Sequence, residues 1–328
     1  MPYQNTSTPR FFINMPEFCA EAGITEIHEI FRTLPVKVEP QAIPTEDKML
    51  TGVPFSLFAD KCFCAFLGHR ITDTPGEAST DSHYYGVEDG ATGSVQWIDD
   101  IVVNCTQEES SMYPKPIYNG FTIASFHKGD YYPYVDTPYS RPDSAGRELG
   151  SIVIGNYYNM PHSPDLKLTM TREGSGAKHI RSQNGSSFSN SFYTKSPTWG
   201  GNAGAWELYP GSPDSKQLLS RSGRRVWDLS FNYLSDSSIF PETSLLSRAG
   251  EDGYTFDWNN YHNNTLLYDD NFYSQVIHKT NGGELPFIFQ PDRYDNTQFA
   301  IAKFDGGFKF TQVANSVYSI SLKIRECW

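Results

Sequence analysis

The sequence predicts a mainly β protein, and three observations carry that reading. Apolar residues alternate with polar ones far more often than they recur at helical spacing. Aromatic residues make up 15% of the 328 positions, and Asn, Ser, Gly and Pro punctuate the chain at short intervals, as in strands joined by turns. Only two segments carry the apolar stripe of an amphipathic helix.

The first helix is expected between Glu21 and Arg32, with Ile24, Ile27, Ile30 and Phe31 as its stripe. Cys62-Phe63-Cys64 puts two thiols on one face of a strand, which suits either a metal or redox role or two small buried hydrophobes. From Asp130 to Gly146 the chain concentrates proline, tyrosine and turn formers. The main boundary is therefore expected near residue 140, with a packed, tyrosine-rich linker between an N-terminal β-rich domain (1–140) and a C-terminal domain (141–328). Leu166, Leu168 and Met170 alternate with Lys167 and Thr169, the pattern of a strand with one buried face. Residues 172–224 are polar and glycine-rich, with Gly174-Ser175-Gly176, Gly185-Ser186-Ser187 and Gly211-Ser212-Pro213. They read as a long loop excursion, and loops of that length usually serve contacts. Trp227, Leu229, Phe231 and Tyr233 define the next strand. The second helix follows Asp269-Asp270, a pair suited to cap its start, carries Phe272, Tyr273, Val276 and Ile277 on one face, and ends at Gly282-Gly283. Phe299, Ile301 and Phe304 mark a further strand, and Tyr318, Ile320, Leu322 and Ile324 mark the closing one.

Charge and motif content exclude several function classes. With 38 Asp+Glu against 26 Lys+Arg, the net charge is −12 and no basic run occurs, so a surface that wraps nucleic-acid phosphates is not expected. No window approaches the roughly 20 apolar residues that cross a bilayer. The start, Met1-Pro2-Tyr3-Gln4-Asn5-Thr6, lacks a basic region followed by an apolar one, so neither a secretion signal nor an anchor is expected. Cys19, Cys62, Cys64, Cys105 and Cys327 are scattered and odd in number, against a disulfide framework or a structural zinc site. The eight histidines never fall at i, i+4, Asp99-Asp100 and Asp269-Asp270 are adjacent pairs that point apart on a strand, and no Gly-x-Ser-x-Gly elbow, phosphate loop or dinucleotide fingerprint is present. The expectation is a protein without enzymatic activity, cofactor or metal. Tyr131, Tyr132, Tyr134 and Trp199 are aromatics of the kind that stack on sugars or, equally, pack loops onto a β core.

The order of strand (Val226 to Tyr233), helix, Gly282-Gly283, Leu285-Pro-Phe-Ile-Phe-Gln-Pro291, aromatic strand and terminal strand ending in Lys323-Ile-Arg-Glu-Cys-Trp328 resembles bacteriophage minor tail proteins of the distal-tail class. Gly150-Ser-Ile-Val-Ile-Gly155 and Leu166 to Met170 match opening strands, so the resemblance covers about residues 147–328. Thr8-Pro-Arg-Phe-Phe-Ile-Asn14 and Phe31-Arg-Thr-Leu-Pro35 resemble the start of proteins from tail gene clusters. The resemblance implies a tail-tube-like β-barrel or sandwich with one flanking helix. It further implies a structural virion protein, assembled in the host bacterial cytoplasm. Copies would form a ring, commonly a hexamer, that joins the tail tube protein to the tip or baseplate proteins around a passive DNA channel. An acidic lumen fits that role, since it repels the phosphates that slide past it. Interface anchors are expected at Tyr131, Tyr132, Tyr134, Trp199, Trp206, Arg224, Arg225 and Trp328, residue types favoured at interface centres. The alternative is a receptor-binding tail module for host glycan; a glycan hydrolase would need two carboxylates brought together across a cleft.

Overall fold

Phe11, Phe12 and Ile13 are three consecutive apolar residues with essentially no exposure, in a strand whose five residues are all buried. Alternate side chains of a strand leave opposite faces, so burial of every position requires cover on both. This strand, β1 (Arg10–Asn14), lies inside a ten-stranded antiparallel sheet, and a computed structural model of the chain shows how the rest is placed around it. The structure describes residues 6–33 apart from 25 and 28, then 48–50, 53, 57–67, 86–89, 95–97, 121–127, 131–136, 151–191 apart from 167 and 174–176, 223–241, 265–295 and 298–327.

Beyond β1 the strands are β2 (Lys48–Leu50), β3 (Lys61–Leu67), β4 (Gly86–Asp89), β5 (Val95–Trp97), β6 (Phe121–His127), β7 (Tyr131–Asp136) and β8 (Ser151–Asn159). They are followed by β9 (Thr169–Glu173), β10 (Ala177–Arg181), β11 (Ser187–Ser191), β12 (Arg224–Ser235), β13 (Phe287–Gln290), β14 (Ala300–Phe304), β15 (Lys309–Ala314) and β16 (Val317–Glu326). The large sheet runs β6-β3-β8-β1-β13-β14-β16-β12-β9, with β15 also paired to β16. The protein is mainly β, as the alternation predicts. The described order is open at β6 and β9, so the sheet does not close into a barrel, while a sandwich is compatible with it.

The sheet takes β1, β3 and β6 from before residue 140 and seven strands from after it, so the boundary expected there does not interrupt it. β1 pairs with β8 on one side (Phe12↔Tyr157) and with β13 on the other (Phe12↔Ile288). The tyrosine-rich stretch expected as a linker instead contains β7, which lies between β2 and β4 in a separate four-stranded sheet, β2-β7-β4-β5. Tyr and Val favour extended backbone, and that preference outweighs the proline between them.

On one face Phe11 sits at ring-centroid distances of 5.6, 5.6, 5.3 and 5.9 Å from Phe272, Phe287, Phe289 and Phe304. Such pairs contribute about 0.5–1.5 kcal/mol each beyond area burial. Trp227, Leu229, Phe231, Ile320, Leu322 and Ile324 extend this core along β12 and β16. The opposite face gathers Phe12, Phe63, Ala65, Val153, Ile288 and Ile301 into a second core. A third cluster lies where the helix α1 (Met15–Glu21) packs through Met15, Phe18 and Cys19 on Cys62, Cys64, Ile152 and Ile154. Cys62 and Cys64 are fully buried there and behave as small hydrophobes.

The helix expected at 21–32 is placed differently. α1 ends where Gly23 takes a left-handed φ of 70° and Ile24 N–H bonds the Cys19 carbonyl at 2.9 Å, leaving only a 3-10 turn at Glu29–Phe31 further on. The helix expected after Asp269-Asp270 is present as a π-helix, Tyr273–His278, with Phe272, Val276 and Ile277 buried. Its first turn is closed by Asn271, whose Oδ1 accepts from Ser274 N–H at 2.8 Å. Gly282 and Gly283, at φ of 71° and 97°, end it as expected.

Four apolar positions expected on buried faces are exposed instead: Ile24, Leu166, Met170 and Tyr233. Leu166 is 96% exposed, because alternation marks two unlike faces without requiring that the apolar one be covered. Tyr233 is 82% exposed at φ 64°. Between the pairs Phe231↔Ile320 and Leu234↔Tyr318, Asn232 and Tyr233 oppose the single residue Ser319, and this bulge turns the tyrosine outward.

A left-handed conformation costs a residue with a Cβ roughly 1–2 kcal/mol. Tyr233→Gly is therefore expected to raise the melting temperature, an outcome read by thermal unfolding, since an exposed ring loses little packing. A pH effect is expected at His278, where burial first and then the Lys279 charge hold the imidazole below its usual value of 6.5. The unfolded chain then binds the proton more readily than the folded one, so this group's contribution is present above pH 6.5 and is lost as pH falls below it. The stability difference between the parent and His278→Gln should shrink between pH 7.5 and 5.5, measured by denaturant titration at each pH.

Candidate functional site

Of the nine large hydrophobic side chains exposed among the described residues, four fall between residues 166 and 188: Leu166, Met170, Ile180 and Phe188. They belong to one stretch of chain. β9 is the last strand in the sheet order, and its first four side chains are exposed. After it, β10 and β11 form a two-stranded hairpin with its own register, in which Ile180 lies directly opposite Phe188. Directly opposed side chains on a hairpin touch and stabilise it, yet here both members stay more than half exposed. Gly185, at φ 81°, allows the turn, and Ser182 N–H bonds the Ser186 carbonyl at 2.9 Å across it. The predicted excursion at 172–224 thus contains a structured arm at 177–191.

The base of the arm, β9, is fixed by backbone pairing to β12. β12 pairs with β9 through Arg224↔Glu173 and Arg225↔Arg172, and with β16 through Val226↔Arg325. Arg225, placed by its strand at the flank of Trp227 with its guanidinium carbon 5.2 Å from the ring centroid, points into the chain. Its Nε and Nη2 donate to the two carboxylate oxygens of Glu326 at 3.1 and 3.0 Å, and Nη2 also donates to the Phe299 carbonyl at 2.6 Å. The Arg225 backbone N–H adds a further bond to the same carboxylate at 2.9 Å. Both side chains are nearly buried, at 11% and 5% exposure. A second pair, Arg325 to Glu173 at 2.8 Å, is about half exposed and contributes correspondingly little.

The structure separates the residues singled out from the sequence. Tyr131, Tyr132 and Tyr134 lie on β7 in the small sheet. Arg224 and Arg225 begin β12, with Arg225 engaged inside the chain. Trp199, Trp206 and Trp328 lie outside the described residues. Ile180 and Phe188 escaped the sequence reading because a lone apolar residue in a Ser/Gly-rich stretch carries no periodicity. Their pairing depends on a hairpin register that only the fold supplies. Three of the thiols are poorly suited to nucleophilic chemistry, since burial pushes Cys19 and Cys327 up to about 11 and Cys64 higher still. Among the described residues no group of three metal-ligating side chains occurs.

Truncating one partner of a buried pair leaves the other charge unpaired, at a cost of about 3–5 kcal/mol. Arg225→Met is expected to destabilise the protein by that order, and Arg225→Met with Glu326→Leu to recover most of the loss, as read from a double-mutant cycle in urea.

Comparison of the chain with protein-family models, with curated proteins and with solved structures found no match.

Proposed function

We propose that this protein is a structural component of a bacteriophage tail, whose copies assemble into a ring, commonly of six, between the tail tube and the tip or baseplate. The observation that carries the assembly part is the concentration of exposed apolar side chains in one stretch of chain: Leu166 just before β9, Met170 on β9, and Ile180 and Phe188 on the β10–β11 hairpin. In a monomer the Ile180–Phe188 pair contributes only about 0.2–1 kcal/mol to the hairpin, whereas burying them in a neighbouring subunit contributes about 1.5–3 kcal/mol for each side chain. The hairpin stretch 174–191 contains Lys178 and Arg181 and no carboxylate, while the whole chain carries −12. A basic, apolar arm is therefore complementary to the body of another copy. The phage assignment rests on the resemblance of residues 147–328 to distal-tail proteins, and the acidic balance fits a lumen through which DNA passes without sticking. Partners on this reading are further copies of the chain, the tail tube protein and the baseplate or tip proteins. The site of action is the virion.

Gold-labelled antibody against the recombinant protein is expected to mark the tail tip or tube end of particles produced by the source of this gene. Absence of label from intact and disrupted particles alike would overturn the tail reading. In parallel, Ile180→Asp with Phe188→Asp should shift the protein from oligomer to monomer in analytical ultracentrifugation at unchanged melting temperature. An unchanged oligomer would remove the arm from the assembly contact.

A further inference from the structure

A cavity of about 270 Å³ opens between the segment leading into β3, residues 57–61, and the π-helix. It is near the lower end of the ~300–1,000 Å³ typical of drug-sized ligand sites, so its capacity is about one small ring. Its floor is buried and largely apolar, with Leu57 and Phe58 on one side and Tyr157 on another. Its rim is wet: Tyr268 is 45% exposed, and Lys61 and Asp270 face each other at 3.7 Å with side chains 44% and 69% exposed.

The walls are held in place before any ligand arrives. Asn156 clamps the segment ahead of β3 twice, accepting from Ala59 N–H at 2.9 Å and donating to the Leu57 carbonyl at 3.2 Å. On the other wall, Gln275 donates through Nε2 to the Asp269 carbonyl at 2.8 Å and accepts from Lys279 Nζ at 2.6 Å. Gln275 and Lys279 are almost completely buried, yet both line the cavity. Gln275 is delivered to it by the π-helix and Lys279 by the residue that follows the helix; this winding is rare and often found at functional sites.

The lining chemistry selects a class of ligand. Two carboxylates, Asp60 and Asp270, are matched by two ammonium groups, Lys61 and Lys279, so the cavity favours neither an anion nor a cation. It mixes acceptors, donors and an amide that is both, around aromatic walls. A hydroxyl donates and accepts, and a pyranose ring also has apolar C–H faces that lie flat on aromatic side chains. We propose that this cavity binds a single neutral hexose unit, with the ring stacked on the exposed Tyr268 above a floor edged by Phe58 and Tyr157, and its hydroxyls shared among Asp270, Lys61 and Gln275. The site stands on these residues alone, whether or not the hairpin arm joins copies of the chain.

The test is saturation-transfer NMR and calorimetric titration of the full chain with the methyl glycosides of glucose, galactose, mannose and N-acetylglucosamine, with methyl glucuronoside as the charged comparator. At least one neutral glycoside is expected to bind saturably and more tightly than the glucuronoside. Tyr268→Ala and Asp270→Asn, both at the exposed rim, are each expected to weaken it roughly tenfold, the order of one lost stacking or charged hydrogen-bond contact. Melting temperatures verify that both variants fold. The proposal is overturned if no neutral glycoside binds, if the glucuronoside binds more tightly, or if folded rim variants bind with parental affinity.

Discussion

Everything in the large sheet depends on β1 being internal. Its backbone is hydrogen-bonded to β8 on one side and β13 on the other, and its side chains divide between two cores, Phe11 and Ile13 to one and Phe12 to the other. An inserted strand that misses its register by one residue sends every side chain to the wrong core. The fit is enforced at Gly155 in β8, where a Cβ would lie 2.0 Å from the Ile13 carbonyl oxygen, so no other residue admits β1 at this distance. Even the first polar residue is accommodated: Arg10 is fully buried, with its Nε bonded to Asn159 Oδ1 at 2.7 Å and its guanidinium 5.7 Å from the Tyr157 ring centroid.

The placement has a consequence for assembly of the fold. Arg10 pairs with Asn159 and Gln290, partners that are far away in the chain. The sheet is complete only when the N-terminal segment is gripped by strands synthesised much later, and contacts of such sequence separation slow folding. Strands on the two sides of residue 140 are therefore energetically one unit in this sheet, while the smaller sheet β2-β7-β4-β5 has its own pairing.

What the sequence revealed follows from the same physics. Trp227, Leu229, Phe231 and the closing strand are legible because one face is buried and the other wet, which writes a period of two into the sequence. β1 is illegible by that rule, because a strand buried on both faces is a plain apolar run, and Phe11-Phe12-Ile13 alternates with nothing. Tyr233 and Leu166 satisfy the period and are nonetheless outside, one turned by a bulge and one left almost fully exposed. Among the candidate anchors, Arg225 has the right chemistry for an interface, but Glu326 in the adjacent strand satisfies it first, a pairing across a hundred residues that spacing cannot reveal. The arm and the cavity are likewise products of tertiary placement. The arm needs the register that sets Ile180 against Phe188, and the cavity needs the π-helix to face residues 57–61.

Two surfaces of different character result. The arm is apolar, exposed and basic, suited to burial against a protein neighbour, whereas the cavity is small, charge-balanced and pre-shaped, suited to a polar ring. Both are built outward from a rigid sheet, the arm from its β9 end and the cavity beside β8. Rigidity of that sheet is thus the central claim, and native-state hydrogen exchange read by mass spectrometry tests it most directly. Amides of β1, β8 and β13 are expected in the slowest class, opening together at the free energy of global unfolding. Exchange of residues 10–14 at a much lower free energy, with β13 and β16 still protected, would contradict it and make the N-terminal segment a separable addition.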